Sequence, residues 1–303
     1  MAVFHDEWRD MLRRIIKTIT FLVAVFVAVI LIFFLYCVVN TTHDITVTSY
    51  TINADLANSL RIVQLTDLHE EEFGNNNREL IQIVEEQNPD LIVMTGDMQN
   101  KDDGGTSVVC DLIRNLSAIT DVYYGYGNHE KAWEKSFNRD FAGLISEAGA
   151  IVVDNGYVDI EVKDNNLRIA GYMGYYSAVH MTSHTEEEQK QDLEFENAFE
   201  DTDRYKILLN HIPTSWVDWG YTNHYPIDLV FSGHYHGGQM VLPFVGPLYA
   251  PYIGFFPDNV KGVYQGTQTT CILSAGLGTE SFVPRVNNPP EIVVVDLKGK
   301  NDI

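Results

Sequence analysis

Basic residues are scarce in this sequence. It contains 20 lysines and arginines against 42 aspartates and glutamates, which gives a formal net charge of −22 and a pI near 4.6. A protein that binds nucleic acid through its phosphates needs a basic surface, and none is encoded here. The composition therefore argues against a nucleic-acid partner, and it also disfavours binding of anionic lipid headgroups by the bulk surface.

Cysteine is almost absent as well. The three cysteines, Cys37, Cys110 and Cys271, are too few for a disulfide framework. We interpret Cys110 and Cys271 as small buried apolar residues, one on a helix and one on a strand. There is no internal repeat and no low-complexity tract. What remains is a chain of 303 residues with an ordinary apolar content of 45%, which is enough for a sizeable core.

Charge is missing from one long stretch, residues 19–39, which is dominated by Val, Ile, Leu, Phe and Ala. Its length matches a helix that spans a bilayer. Four basic residues precede it, and no lysine or arginine follows before Arg61, so the positive-inside rule places the N-terminus in the cytoplasm. A cleaved signal peptide is the main alternative, although the run is long and no small-x-small site follows it. Lipidation of Cys37 is disfavoured because the bulky Tyr36 precedes it.

The chain therefore divides into four parts. We predict a cytoplasmic N-terminus (1–18), one transmembrane helix (19–39), a linker that leads into an edge strand (40–58) and an extracytoplasmic domain (59–303). The protein would be a single-pass protein of the cell membrane.

Strands and helices alternate in the first half of the domain. Three apolar runs predict strands and three amphipathic stretches predict helices, and their spacing indicates parallel βαβ units. In chain order these elements are 61–66, 78–87, 91–95, 107–117, 121–126 and 133–148. Residues 151–153, 157–162 and 167–172 predict three strands of a second sheet. An edge strand is predicted at 44–52, an acidic helix at 186–199, and further strands at 206–210, 226–231, 269–274 and 291–297.

Polar residues follow five of the predicted strands. They are Asp67-Leu68-His69, Gly96-Asp97, Gly127-Asn128-His129-Glu130, His211 and Gly233-His234-Tyr235-His236. Ligands of open α/β sheets bind at this carboxyl edge, so we expect the side chains to meet on one rim. The i, i+2 pairs in the first and last motifs would share one side of an extended segment. Carboxylate oxygen and imidazole nitrogen together suit Mn²⁺, Fe or Zn²⁺, and we interpret Asp97 as the carboxylate that bridges two metal ions.

This ordered set, spanning residues 61–238, resembles the calcineurin-like metallophosphoesterases. Four longer stretches are similar to the bacterial membrane-associated YkuE/YaeI-type branch of that family. They are Thr66-Asp67-Leu68-His69, Leu208-Leu209-Asn210-His211-Ile212-Pro213, Gly233-His234-Tyr235-His236-Gly237-Gly238-Gln239 and Arg285-Val286-Asn287-Asn288-Pro289-Pro290-Glu291-Ile292.

The resemblance implies an α/β fold of the four-layer α+β type, with two packed mixed β-sheets flanked by helices over residues 59–303. It implies two divalent metal ions and a role for each motif residue. Asp67, His69 and His236 would bind one ion, Asn128, His211 and His234 the other, and Asp97 both. A hydroxide between the ions would attack phosphorus in line, and His129 would assist the leaving group.

Two positions near the motifs are open. Many relatives carry aspartate where this chain has Asn100, and that residue can orient the catalytic imidazole, so the orientation of His129 is uncertain from the sequence. Glu130 is either a local hydrogen-bonding residue or a surface residue.

Three function classes compete for this sequence. A phosphoesterase is favoured because no ligand is missing, whereas a non-catalytic membrane receptor or scaffold on the same fold would be expected to have lost some. A metalloprotease lacks support because no His-Glu-x-x-His motif occurs. The substrate, the preference for monoesters or diesters, the metal and the oligomeric state stay open.

One loop bears on the substrate. Residues 239–262 are rich in Pro, Gly and aromatic residues and carry only Asp258 and Lys261 as charges. The loop either folds back over the sheet edge or presents an exposed apolar patch at the water–lipid boundary. In the second case the substrate would be a phosphate ester with a lipid or other large apolar portion, presented at the outer membrane face. The large apolar residues concerned are Leu242, Pro243, Phe244, Val245, Leu248, Tyr249, Tyr252, Ile253, Phe255 and Phe256.

Overall fold

The computed structural model describes residues 2–41, 44–176, 185–250, 253–279 and 284–302, and all of their side chains except those of 2–7, 34, 36–41 and 302. The α-helices are α1 (Ala2–Thr41), α2 (Arg78–Glu86), α3 (Ser107–Ser117), α4 (Asn128–Phe137), α5 (Phe141–Glu147), α6 (Glu186–Glu200) and α7 (Thr214–Val217). Cys37 and residues 177–184, where the sequence shows no clear period, lie outside what is described at side-chain or backbone level.

Two large sheets form the body of the chain. The strands of the first sheet, in spatial order, are β1 (Thr46–Asn53), β16 (Glu291–Lys298), β2 (Leu60–Leu65), β3 (Leu91–Met94), β4 (Val122–Tyr124) and β5 (Ala150–Val152). Those of the second are β14 (Gly262–Gln265), β15 (Thr270–Leu273), β9 (Leu229–Ser232), β8 (Tyr205–Leu209), β7 (Asn165–Gly171) and β6 (Gly156–Val162). Two ribbons follow β9: β10 (Val241–Leu242) with β11 (Gly246–Pro247), and β12 (Tyr249–Ala250) with β13 (Gly254–Phe255).

Both sheets are mixed. In the first, β2 to β5 run parallel, β16 is antiparallel to β2, and the edge strand β1 is parallel to β16. In the second, β7, β8, β9 and β15 are parallel, and the two edge strands β6 and β14 are antiparallel to their neighbours. The carboxyl ends of the parallel strands and the amino ends of β16 and β1 therefore lie at one edge of the first sheet.

Alternating side chains on the strands build four layers. On β3, Leu91 and Val93 face the second sheet, where they pack with residues such as Ile207, whereas Ile92 and Met94 pack under α2, α3 and α5. The outer face of the second sheet packs against α6 and α7 through a separate apolar cluster that includes Phe199 and Trp216. The helix–sheet–sheet–helix arrangement confirms the predicted fold class.

Helix α1 precedes this body. It contains one segment, Trp8–Phe33, that is long and apolar enough to cross a membrane, and none of its most apolar window is buried against the rest of the chain. A membrane anchor and a signal sequence share these properties.

Two sequence-based expectations about the elements were wrong. The predicted helix 133–148 is two helices, because Asn138 adopts the left-handed conformation (φ 49°) and the Asp140 side chain caps α5 by accepting from Gly143 N at 2.9 Å. Its true start is Asn128. The strand predicted at 151–153 belongs to the first sheet, since α4 and α5 return the chain so that β5 pairs with β4. The other predicted strands begin and end within three residues of the observed ones.

Candidate metal centre

The seven predicted ligands meet at the carboxyl edge of the two sheets. Asp67 and His69 follow β2, Asp97 follows β3, and Asn128 begins α4 just after β4. From the second sheet, His211 follows β8, and His234 and His236 follow β9. All are buried except Asn128, which is half-buried. Because the sheets face each other, the turns after their strands enclose one site.

The first group of ligand atoms comes from Asp67, His69 and His236, whose nearest donors all lie within 4.8 Å of one another. His236 Nε2 is 3.4 Å from Asp67 Oδ1 and 3.3 Å from His69 Nε2. The other ring nitrogen of His236, Nδ1, is buried, and no described residue forms a hydrogen bond with it. Two imidazole nitrogens and a carboxylate aimed at one point are a donor set that a divalent cation fits.

The second group comes from Asp97, His211 and His234. His211 Nε2 lies 3.0 Å from Asp97 Oδ2 and 3.1 Å from His234 Nδ1. His211 Nδ1 donates to the carbonyl oxygen of Thr95 at 2.7 Å, so Nε2 is the nitrogen that faces the group and carries the lone pair when the ring loses its second proton. A backbone partner of this kind fixes the tautomer and orientation that a metal-ligating histidine needs.

Asn128 offers the remaining predicted ligand atom. Its Oδ1 is buried and has no hydrogen-bond partner among the residues that the structure describes, although an amide oxygen in that position would normally accept one. The neighbouring His129 N–H donates to Asp97 Oδ1 at 2.8 Å, so Asn128 stands directly beside the second group. An orphaned acceptor there fits a metal ion.

The backbone at the ligands is not extended as predicted. Five of the seven residues have positive φ: Asp67 (52°), His69 (48°), Asp97 (51°), His234 (72°) and His236 (48°). The i, i+2 geometry of an extended strand is therefore the wrong picture, and His234 and His236 turn toward different groups. Left-handed conformations in non-glycine residues concentrate at functional sites.

Close backbone approach explains two glycines in the motifs. Gly96 has φ 88°, and a Cβ there would lie 2.2 Å from Gly127 N. A Cβ on Gly127 would lie 2.2 Å from Asp97 Oδ1. The turns after β3 and β4 thus pack so closely at these two positions that only glycine fits, which brings Asp97 and Asn128 to one place.

Burial and mutual charge perturb the ligands. Burial raises the pKa of Asp67 to about 6, with the charge of His211 opposing this and that of Asp97 adding to it. Burial opposes the charged form of His211, but Asp97 and Asp67 outweigh it and raise the pKa of His211 to about 10. Burial, together with His69 and Arg285, holds the pKa of His236 well below its usual range. His236 is therefore a neutral ring, the form that binds metal.

His129 lies beside the two groups and belongs to neither. Its ring meets that of His69 edge-on, with 4.7 Å between the centroids. The N–H of Lys101 points at His129 Nδ1 (3.4 Å), so Nδ1 is the acceptor and the neutral ring carries its proton on Nε2. That is the tautomer which donates a proton or hydrogen bond.

Asn100 contacts a different histidine from the one considered in the sequence. Its Oδ1 is 3.1 Å from His69 Nδ1, and its Nδ2 donates to the carbonyl oxygen of His69 at 2.7 Å. The amide therefore orients a candidate ligand of the first group.

Glu130 is fully buried, which rules out the surface alternative. Its carboxylate accepts from Asp97 N (2.9 Å), Met98 N (2.9 Å) and Gly127 N (2.9 Å), and also from the Tyr124 hydroxyl (2.8 Å). Burial, followed by the charge of Asp97, raises its pKa. One carboxylate thus fixes the turns that carry Asp97 and Asn128.

A second supporting set had no role assigned from the sequence, although its residues were quoted. Arg285 is buried and donates to the carbonyl oxygens of Ala275 (2.8 Å) and Gly278 (2.6 Å). Asn288 Nδ2 donates to the carbonyl oxygen of His236 at 2.6 Å. These contacts hold the turn over Asp67 and His236. Their signal was a run of polar residues directly before a buried strand, β16.

The fold and the paired His/Asp groups define a dinuclear metallohydrolase. Residues 60–238 match the calcineurin-like phosphoesterase model, and the chain belongs to that family. The family uses two divalent metal ions, and this chain has two groups of His and Asp side chains that provide ligand atoms for them. The protein is a metallophosphoesterase, a phosphate-ester hydrolase with a metallophosphoesterase fold.

Relatives of known sequence agree with this placement. The chain is 31% identical to the metallophosphoesterase YkuE of Bacillus subtilis (strain 168), over 86% of this chain and 87% of that one. It is 24% identical to the phosphodiesterase YaeI of Escherichia coli (strain K12), over 80% and 84% of the two chains. Among solved structures, a 5′-nucleotidase precursor from Thermus thermophilus superposes with a TM-score of 0.45 and 14% identity, over 79% of this chain and 54% of that one.

Proposed function

We propose that this protein is a membrane-anchored phosphoesterase that hydrolyses a lipid-linked phosphate ester at the outer face of the cell membrane. The observation that carries the catalytic part is the pair of buried His/Asp groups at one sheet edge. In this proposal α1 anchors the chain, residues 1–18 are cytoplasmic, and residues 59–303 form the catalytic domain outside.

Seven residues hold the two ions in this proposal. Asp67, His69 and His236 take one ion, and Asn128, His211 and His234 take the other. Asp97 bridges them. Supporting the bridge, Asp97 contacts His211 directly, and its charge also acts on Asp67 in the first group. When bound, the ions supply positive charge for the phosphoryl oxygens and lower the pKa of the attacking water.

The chain's own residues do the rest. The ligand turns position the reacting phosphate at the carboxyl edge of the two sheets, where the ligand side chains other than Asn128 are buried. His129 assists the departing oxygen as a hydrogen-bond donor, because the neutral tautomer set by Lys101 N carries its proton on Nε2, and the protonated imidazolium form of the ring would be the general acid. The backbone N–H of His129 keeps Asp97 in place at the same time.

The lipid-linked substrate is supported by the ribbons after β9. They begin at the turn that carries His236, and they expose Phe244, Phe255 and Phe256. Tyr252 lies outside the described residues. An apolar surface beside the site suits a substrate whose apolar part stays in a bilayer.

The catalytic part is tested by metal analysis together with hydrolysis of a phosphomonoester and phosphodiester panel. Asp97→Asn should hold fewer than two metals per chain and lose activity, because the amide has a single oxygen ligand and cannot bind both ions as the carboxylate would. Asp102→Asn, an exposed acid in the same loop, is the matched control and should retain both. Two metals and full activity in Asp97→Asn would contradict the bridge.

The substrate class is tested by comparing a lipid-linked with a water-soluble phosphodiester. The double variant Phe255→Ser/Phe256→Ser should lose more activity on the lipid-linked ester than on the soluble one. Equal losses on both esters would contradict the lipid-linked substrate.

A further inference from the structure

The anchor helix leads into the same edge of the first sheet that carries the metal centre. Strand β1 is parallel to β16, and β16 is antiparallel to β2, so β1 begins where β2 ends. Thr46 N donates to Pro290 O at 2.8 Å, and Glu291 N donates to Gly276 O at 2.9 Å. Gly276 packs on Asp67, since a Cβ there would lie 2.7 Å from Asp67 Cβ. The first residue of β1 is therefore connected to the candidate ligand Asp67 through Pro290, Glu291 and Gly276.

The tether between anchor and sheet is short. Helix α1 ends at Thr41 and β1 starts at Thr46, and five residue steps span at most about 17 Å even when fully extended. With α1 in the membrane, this length keeps the starting edge of β1 near the bilayer surface. The opposite edge of the sheets lies farther from the bilayer surface, by the length of the strands.

The two ribbons, β10–β11 and β12–β13, extend from this same edge. Their base is packed, because Ala250 and Val260 are buried in a cluster with Tyr235 and Leu273. Leu248 N donates to Met240 O and Phe256 N donates to Leu248 O, which ties the second ribbon to the first. The base of the loop 239–262 thus covers the sheet edge, and the outer part of the loop extends from this packed base.

The outer part is apolar and exposed. Phe255 is 72% exposed and Phe256 is 59% exposed. The ribbon residues with exposed large apolar side chains are Phe244, Val245, Tyr249, Ile253, Phe255 and Phe256. In the described part of the chain after α1, only Tyr157, Leu193, Trp219 and Val263 share that property. Apolar exposure is therefore concentrated at the edge where the anchor enters.

We infer that the ribbon surface docks on the outer leaflet of the bilayer and turns the metal centre toward the lipid headgroups. This inference rests on the membrane anchoring proposed above and adds the surface and orientation. Aromatic side chains favour the water–lipid boundary, and residues 239–262 carry only Asp258 and Lys261 as charges. The net charge of −22 disfavours an anionic surface, so the partner is a zwitterionic bilayer.

Quenching of tryptophan by brominated lipid tests the docking. Phe255→Trp is made in the full chain and reconstituted in phosphatidylcholine vesicles with and without acyl-chain bromines. Leu193→Trp is the matched control, since Leu193 is 46% exposed on α6, which contacts β6 at one edge of the second sheet, whereas the ribbon base packs on Leu273 of β15 near the other edge. The native tryptophans give the same background in both variants.

The fluorescence gained in Phe255→Trp should be lost in brominated vesicles, and that gained in Leu193→Trp should persist. A chain that stays in the vesicles while both introduced indoles remain bright would overturn the docking alone. Release of the chain from the vesicles would overturn the anchoring and this inference together. The measurement needs no turnover, so its failure is distinct from failure of the phosphoesterase activity.

Discussion

Backbone strain is frequent at the candidate ligands. Each left-handed non-glycine residue costs roughly 1 kcal/mol or more, and five of the seven ligands adopt that conformation. Strain of this size persists only where the surroundings enforce it. At Asp97 the enforcing group is Glu130, whose carboxylate takes the N–H groups of three successive residues, Asp97, Met98 and Gln99. Anchoring of the ligand turn from beneath is the structural role of Glu130.

Glu130→Gln should therefore weaken metal binding as well as stability. The amide has one oxygen where the carboxylate has two, so its NH₂ group faces backbone N–H groups and leaves donors unsatisfied. We expect a loss of about 3 kcal/mol in the free energy of unfolding. Metal titration and thermal unfolding of the detergent-solubilised full chain measure both effects.

Glu134→Gln is the control for this change, because Glu134 lies on the same helix and, within the described part of the chain, accepts only from the Tyr126 hydroxyl and the Phe141 N–H. It should retain wild-type metal affinity. Wild-type metal affinity in Glu130→Gln would show that the carboxylate does not position Asp97.

His129→Ala should separate chemistry from metal binding. His129 lies outside both ligand groups, so metal content should stay near that of the wild type. Loss of a general acid lowers kcat by about 10²- to 10⁴-fold, and the effect should be largest for a poor leaving group. The exposed His224→Ala serves as control, with kcat unchanged. Loss of metal in His129→Ala would instead make His129 a ligand.

Among the elements, the turns after β3 and β4 determine the shape of the centre. They touch through Gly96 and Gly127 with no room for a side chain. Gly96→Ala combines a left-handed φ of 88° with a Cβ 2.2 Å from Gly127 N, so we expect a loss of more than about 3 kcal/mol in unfolding free energy. Denaturant titration of the solubilised full chain measures this loss.

Gly254→Ala is the matched comparison for that prediction. Gly254 also has a positive φ, 99°, but a Cβ there meets no atom of the described residues within 4 Å. Only the conformational cost remains, about 1 kcal/mol. Equal losses in the two variants would show that the contact between the turns carries no stability.

The motifs at the strand ends could be predicted from the sequence, because in each of them the polar residues directly follow an apolar run along the chain. The convergence of Asp67, His211 and His236 followed from the rule that ligands gather at carboxyl strand ends. The assignment of 151–153 to the wrong sheet shows the limit of this reasoning. Strand pairing depends on how α4 and α5 return the chain, and local periodicity does not encode that path.

Supporting contacts were not predictable for a related reason. Glu130 and Asn100 act through backbone N–H groups and a ring nitrogen more than 25 positions away in the chain. Whether such a polar residue faces solvent or a buried turn depends on tertiary packing. The same holds for residues 239–262, where the base covers the sheet edge and the outer part is exposed, so each of the two alternatives describes one part of the loop.

For the whole molecule, charge and anchoring act together. The whole chain has a net charge of −22, and its acidic body follows an apolar helix preceded by Arg9, Arg13, Arg14 and Lys17. Basic residues on one side of a membrane helix keep that side in the cytoplasm. In the proposed topology the strongly acidic domain lies on the other side and is repelled by anionic lipids, which leaves the apolar ribbons as the surface suited to a bilayer.

The orientation gives the last prediction. β-Lactamase fused after Ile303 should protect cells against a penicillin, because the enzyme acts only outside the cytoplasm and the positive-inside rule places residue 303 there. The same reporter fused before Met1 is the control and should give no protection. The full-length chain should also stay in membranes after washing at high salt and retain its N-terminal peptide by mass spectrometry, since α1 would be an uncleaved anchor. Protection from the N-terminal fusion alone would reverse the orientation, and a chain released without residues 1–18 would identify α1 as a signal sequence.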